Sequence, residues 1–381
     1  MKSKKGTNSK YTKLFKWSLL TAAYFWFFFF SNIYAESPGQ TNSPSLVSSL
    51  RVETPIEFCG EEVPIKDQEV LERFEKEFLI SLWDRPQVIL WLKRSKRYLP
   101  HIEQILKKNE MPGDLKYVAI AESALRPHVG SPKGAMGFWQ FTAGTGRKYG
   151  LAINKDIDER RNIFASTQAA IRYFKELHDT FESWTLAVAA FNMGEEGLMT
   201  EIMEQDIKDF YQLYLPLETQ RFILRIVSVK LILNNPDKYG FHLIEKDYYP
   251  PLSFDQIQVM CLDSTPIRII AKAAETQFKV IKDLNPEIRG YYLTSGNHNL
   301  LIPKGAAEGF QDRFDSYIEK YQAAKKERVY IVKSGDNLST IAERFDIPLA
   351  ALVIWNHLDL RRPIHPGDRL IVYGGEEGKN P

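Results

Sequence analysis

The chain has 381 residues, 44% apolar and 26% charged, with a formal net charge of +2. That composition excludes a wholly disordered chain, a collagen-like repeat and a multi-span membrane protein, and the length suits two or three domains. Residues 1–35 hold six lysines (Lys2, Lys4, Lys5, Lys10, Lys13, Lys16) and no acid, so the remaining chain has a balance of −4. A mildly acidic body argues against nucleic acid as partner, because binding phosphates needs a basic face.

The lysines precede an apolar run from Leu19 to Phe30, followed by Ile33-Tyr34-Ala35. A basic start, a short apolar run and a small residue before Glu36 read as a secretory signal over residues 1–35, which places the body in the periplasm or cell envelope. The alternative is an uncleaved segment that holds the protein at a membrane, although the run falls short of the roughly 20 residues of a spanning helix. Ser, Pro, Asn and Thr crowd the stretch from Ser37 to Ser49, and residues 36–66 read as a flexible tether.

From Asp67 to about Leu233 the periodicity is helical. Val70, Phe74 and Phe78 repeat every four residues, and Pro86 suits the first turn of the next helix. Residues 67–245 therefore read as an all-helical domain large enough for its own core. After Pro250-Pro251 short strands flank helices, and two stretches share their spacing. Val259 to Asn285 is 26 positions and Val332 to Asn356 is 24; Asn285 to Leu301 is 16 and Asn356 to Ile371 is 15. This predicts a diverged strand–helix–helix–strand repeat over 250–310 and 328–373, joined by a charged helical connector at 311–327. A disordered tail at 374–381 closes the chain. The expected fold class is mainly α, a helical domain followed by small α+β (βααβ) modules. Only Cys59 and Cys261 occur. Their pairing is open, and no Cys/His cluster has the spacing of metal ligands, so neither metal nor cofactor is expected.

One carboxylate stands out. In Asp114-Leu115-Lys116-Tyr117-Val118-Ala119-Ile120-Ala121-Glu122-Ser123, Asp114 is a good N-cap, and Leu115, Val118, Ala119 and Glu122 share one helix face. The other face is apolar too, so Glu122 ends a largely buried helix, with Pro127 stopping it near Arg126. A buried carboxyl resists ionisation, and a carboxyl still protonated near neutral pH can act as a general acid. Taken alone, the helix equally allows a structural Glu122 paired with Arg126. The next segment, Gly130 to Phe141, mixes glycines and aromatics with Gln140, a combination suited to sugar rings and their hydroxyl and acetamido groups. Gly134 and Gly137 permit close backbone approach, and Phe138 reads as core. Thr185 to Gly194 is a small-residue helix whose Asn192 either reaches a cleft or caps the helix end.

Glu122-Ser123, Gly134-Ala135-Met136-Gly137-Phe138-Trp139-Gln140, Ala190-Phe191-Asn192 and Glu218-Thr219 stand in the order of the motifs of family 1 (Slt-type) lytic transglycosylases, and the chain resembles that family from about Leu115 to Leu233. The resemblance implies a lysozyme-like helical fold, Glu122 as sole catalytic acid/base, and a cleft for peptidoglycan glycan strands touching Ser123, Ser131, Gln140, Phe191 and Asn192. Phe191 and Phe222 stand where that family has tyrosines. Residues 328–373 resemble a LysM module through Gly335-Asp336-Asn337-Leu338 and Ile364-His365-Pro366-Gly367-Asp368. This implies a glycan groove between two loops, with Gly335, Asp336, Asn337, Leu338, Ile364 and Pro366 at the site. Asp336 is expected to cap the first helix of the module. The upstream copy has Asp263-Ser264-Thr265 in place of the Gly-Asp turn, which makes its glycan binding doubtful. The implied reaction is non-hydrolytic cleavage between N-acetylmuramic acid and N-acetylglucosamine. Two alternatives stand beside it: a hydrolytic muramidase using Asp156 or Asp158 from a solvated loop, and a catalytically silent wall-binding protein.

Overall fold

The computed structural model describes residues 45–53, 55–327 and 329–372. The signal or anchor segment and the C-terminal tail expected from the sequence lie outside these residues. The helices of the first domain are α1 (Gln68–Trp83), α2 (Arg85–Lys108), α3 (Lys116–Ser123), α4 (Ala143–Lys148), α5 (Ile163–Phe181), α6 (Trp184–Met193), α7 (Glu195–Gln205) and α8 (Leu217–Asn234). Asp67 caps α1 through its carboxylate, and Pro86 sits in the first turn of α2. Helix α8 is apolar on most sides: Phe222, Ile223, Ile226, Val227, Val229 and Ile232 are all buried. It can therefore run through the domain centre, packed on α1, α3 and α6, while α5 packs on α6 and α2.

The expected tether is ordered in its second half. A hairpin of β1 (Glu57–Phe58) and β2 (Glu61–Glu62) anchors itself by burying Ile56, Phe58 and Val63 in the same core. Glu61 explains why this segment cannot swing. Its carboxylate accepts from Ser183 Oγ and from the backbone N–H groups of Trp184 and Thr185, satisfying orphan donors at the start of α6.

Two smaller units follow, each with its own buried cluster. In the first, β3 (Phe254–Cys261) pairs antiparallel with β6 (Gly296–Pro303), enclosing β4 (Thr265–Pro266), α9 (Ile267–Ala273), α10 (Phe278–Leu284) and β5 (Tyr292–Leu293). Helix α11 (Phe310–Glu327) begins by burying Phe310 and Phe314 in this unit's core. In the second, β7 (Val329–Ile331) pairs with β8 (Arg369–Ile371) around α12 (Leu338–Arg344) and α13 (Leu349–Trp355). One asparagine does the same work in both units. Asn285 Nδ2 donates to Ile281 O and Leu301 O, and its Oδ1 accepts from Leu301 N. Asn356 Nδ2 donates to Leu352 O and Ile371 O, and its Oδ1 accepts from Ile371 N. Each asparagine staples the end of the second helix to the last strand, using side-chain groups that would otherwise be left unpaired inside the fold.

Cys59 and Cys261 lie in different units and are both free thiols. Among the described residues no helix is long and apolar enough to cross a membrane.

Candidate active site

Helix α3 is short and buried on nearly every side, with Tyr117, Val118, Ala119 and Ile120 all in the core. Its start differs from the sequence expectation. Asp114 lies in a 3-10 turn and is not the cap; its carboxylate accepts from Cys59 N and pairs with Lys230. A long-range partner has outcompeted the local one. The helix also stops at Ser123, before Arg126, because Ala124 and Leu125 turn left-handed at φ 51° and 57°.

Glu122 thus projects from the last turn of a buried helix. The residue keeps a solvent-facing edge, but protein crowds its carboxyl, and burial lifts the pKa from 4.5 to about 8. Arg225 pulls in the opposite direction and Glu218 reinforces the rise. Arg126 is not its partner: that side chain donates to Ser123 O. Among the described residues nothing hydrogen-bonds the Glu122 carboxyl, so its proton can be passed to a ligand.

Arg225 is itself held in an ion network that sequence reading missed. It pairs with Glu218 at 3.1 Å and with Glu77 at 3.8 Å, and Arg221 also binds Glu77 at 2.5 Å. The Glu77 side chain is only 2% exposed. A signal was present, since Val70, Phe74, Glu77 and Ser81 share one helix stripe and a glutamate on a buried stripe demands a cation.

The other expected site residues separate into two groups. Ser123 does not reach a ligand: it is 1% exposed, and its hydroxyl donates to Ala119 O and Phe138 O, tying α3 to the glycine-rich loop. Phe138, Trp139 and Phe141 are buried at 1%, 0% and 2%, so none offers a ring face to a sugar. The Trp139 indole N–H is spent on Thr167 Oγ1. Gln140 turns inward as well, its amide donating to Val129 O and Gly137 O and bracing the loop. Ser131 closes the neighbouring turn by accepting from Ala135 N. Gly137 is needed for packing and not for ligand approach: at φ +81°, a Cβ there would lie 1.8 Å from Arg160 O.

Phe191 and Asn192 remain partly open to solvent, both half-buried at the end of α6. Phe191 stacks on Phe174 at 4.6 Å and meets Phe141 and Tyr173 edge-on or tilted. Asn192 Oδ1 accepts from the hydroxyl of buried Thr219, which fixes the orientation of the amide. The third and fourth sequence motifs therefore meet through one hydrogen bond. A depression of about 340 Å³ lies beyond them, lined by Tyr149, Tyr173, Met193, Glu195 and their neighbours.

Asp158 is not in a solvated loop. It is 2% exposed and forks onto Arg160 with two contacts of 2.8 Å. Burial opposes its charge, but Arg160 and Arg161 hold its carboxyl below the usual range. An acid occupied in this way cannot serve as the water-activating base of a hydrolase.

In the last unit Asp336 does not cap α12; Asn337 does, accepting from Thr340 N. Asp336 instead accepts from Tyr330 Oη and Lys333 N and pairs with Arg344, fixing the turn that Gly335 makes at φ +86°. Gly335, Asn337 and Pro366 are exposed, and Asp336, Leu338 and Ile364 are half-buried beside them. The upstream unit differs at the same two loops. There Thr265–Pro266 pairs with Tyr292–Leu293, and Ile267 N donates to Tyr291 O, so a short ladder zips the loops together.

The model of the transglycosylase SLT domain matches residues 100–213, and that of the LysM domain matches residues 330–372. Membrane-bound lytic murein transglycosylase D of Escherichia coli K12 is 31% identical over 302 residues, which is 75% of this chain and 65% of that protein. The chain thus spans just under two thirds of that relative's length. A putative tributyltin chloride resistance protein of Alteromonas sp. strain M-1 is 32% identical over 117 residues, 30% of this chain and 56% of that one. Among solved structures, the 70 kDa soluble lytic transglycosylase of E. coli shares 16% identity with a TM-score of 0.33, over 50% of this chain and 33% of the other. Residues 100–213 are thus similar to the transglycosylase SLT domain, and residues 330–372 to the LysM domain.

Proposed function

We propose that the chain is a peptidoglycan lytic transglycosylase of the cell envelope, with Glu122 as its one acid and base. The observation that carries this reading is a carboxyl at the end of a buried helix, half-buried, held protonated to about pH 8 and hydrogen-bonded to no protein group among the described residues. Glu122 gives its proton to the oxygen linking N-acetylmuramic acid to N-acetylglucosamine, and that bond breaks. The muramoyl acetamido group stabilises the cation, taking the place of the second carboxylate that most glycosidases use. The Glu122 carboxylate then accepts the proton of the C6 hydroxyl as its oxygen closes onto C1, leaving a 1,6-anhydro end and consuming no water.

In this reading Asn192, whose Oδ1 is held by Thr219, offers its amide donors to the substrate, and the half-buried ring of Phe191 supplies an apolar wall. The sequestration of Asp158 by Arg160 removes one of the two acids, Asp156 and Asp158, that a hydrolase could have used to activate water. The exposed turn at Gly335 and Asn337 suits the LysM domain to holding the enzyme on glycan strands. The N-terminal 35 residues act as the export signal or membrane anchor. The test is Glu122→Gln: the folded variant should no longer solubilise purified cell wall. Solubilisation at the parent rate would assign the acid role elsewhere.

A further inference from the structure

The first small unit is fastened to the helical domain at one edge. Residues 287–289 run beside residues 154–158 as an added strand: Asp158 N donates to Glu287 O at 2.8 Å, Arg289 N donates to Asp156 O at 2.8 Å, and Ile157 bridges Ile288. Side chains reinforce the seam. Asn162 Nδ2 donates to Glu287 Oε1 at 3.0 Å, and Arg289 Nη1 donates to Asn154 O at 3.1 Å. Glu287 is 7% exposed, so this is an interior joint and not a surface touch.

The segment gripped by that seam is the one that holds the glycine-rich loop. Asp158 orients Arg160 through its two-point fork, and Arg160 Nη1 donates to Gly134 O at 2.9 Å and Phe141 O at 3.1 Å. Those carbonyls stand at the two ends of the loop that contains Gln140 and contacts Ser123, the residue after Glu122. Gly137 meets the Arg160 backbone so closely that no side chain fits between them. A displacement of residues 157–160 must therefore be passed to the loop, because a buried fork and a backbone contact cannot stretch.

We propose that the first small unit is a built-in support for the glycine-rich loop beside Glu122, with Glu287 and Arg289 as positioning residues that act through Asp158 and Arg160. The zipped loops of this unit fit that role: a rigid block braces better than an open one. The proposal rests on the reading of Glu122 as the catalytic acid, with the exposed edge of the loop, residues 131–136, beside its substrate, and it deepens that reading.

The test uses the full chain and two readouts. The first is hydrogen exchange at Met136 N and Gly137 N, which are protected by Phe141 O and Val129 O. The second is kcat and KM on soluble glycan fragments. Glu287→Ala removes the acceptor of Asn162 and should speed exchange at both amides about tenfold and raise KM by a similar factor, with kcat less affected. Glu287→Gln keeps an acceptor oxygen and should restore both readouts. Arg289→Ala is the milder companion, shifting both in the same direction, and it carries the test if Glu287→Ala does not fold. Faster exchange confined to 154–162 and 286–290, with Met136, Gly137 and KM unchanged, would overturn the proposal. Exchange does not depend on catalysis, so a loop response in a chain that cleaves no glycan would uphold the support and refute the enzyme.

Discussion

Glu122→Gln should remove activity and also make the protein more stable, increasingly so as the pH rises. Gln keeps the shape of the side chain but never ionises. In the parent the unfolded chain titrates near 4.5 and the folded carboxyl near 8. Between those values the unfolded state has released a proton that the folded state retains, so stability falls with rising pH over that window and levels off above it. At about 1.4 kcal/mol per pH unit, the rise from 4.5 to about 8 sets an upper bound of about 5 kcal/mol. Solvent reaches the residue along one edge, and screening there brings the working figure to about 2 kcal/mol. For a domain of this size that is about 4–8 °C in melting temperature. The assay is calorimetric melting of parent and variant from pH 4 to 9. The two should coincide near pH 4, and the variant should lead by several degrees at pH 8 while its cleavage rate falls about 10²–10⁴-fold. A melting difference that does not change with pH would mean that Glu122 is ionised in the folded protein, and the argument from burial would fail.

Thr219→Val frees Asn192 to rotate and should lower kcat/KM on soluble glycan about tenfold with little change in melting temperature; an unaltered value would show that Asn192 needs no orientation. Phe191→Tyr adds a hydroxyl at the edge of a ring packed on Phe141, Tyr173 and Phe174. A donor near Glu122 would lower its pKa, so the upper limb of the pH–rate profile should move down; an unmoved profile would make Phe191 a packing residue only. Gly137→Ala drives a Cβ against Arg160 O in a left-handed conformation and should cost about 3 kcal/mol or more by denaturant unfolding, whereas a loss below about 1 kcal/mol would contradict the tight contact. A chain ending at residue 327 should cleave soluble fragments at the parent rate but wash off insoluble cell wall, and retention equal to the parent's would remove the LysM domain from wall binding.

Features set by local pattern were legible in the sequence. Helix α3 announced itself through Leu115, Val118 and Ala119, and the buried carboxyl at Glu122 followed from the same face. The matching spacing of Asn285 from Leu301 and of Asn356 from Ile371 marked a repeat, although the staple that each asparagine makes is seen only in the hydrogen bonds. Features set by distant partners were not legible. Asp114 has the chemistry of a cap, but Lys230, 116 positions away, takes its carboxylate. Asp158 looked solvated because its neighbours are polar, and only the fold shows that Arg160 encloses it. Trp139 and Gln140 carry groups that suit a sugar, yet Thr167 and the loop's own carbonyls use them first. Phe58 and Glu61 sit in a run too short to show periodicity, so their part in holding α6 could not be read.

The central claim is that Glu122 works alone and that a sugar hydroxyl, not water, closes the reaction. Mass spectrometry of the fragments released from purified peptidoglycan tests this directly. The account predicts muropeptides ending in 1,6-anhydro-N-acetylmuramic acid, each lighter by one water than its reducing-end counterpart, and none with the Glu122→Gln chain. Fragments with reducing N-acetylmuramic acid ends would identify a hydrolase and contradict the claim, as would an active parent whose products are unchanged by the substitution.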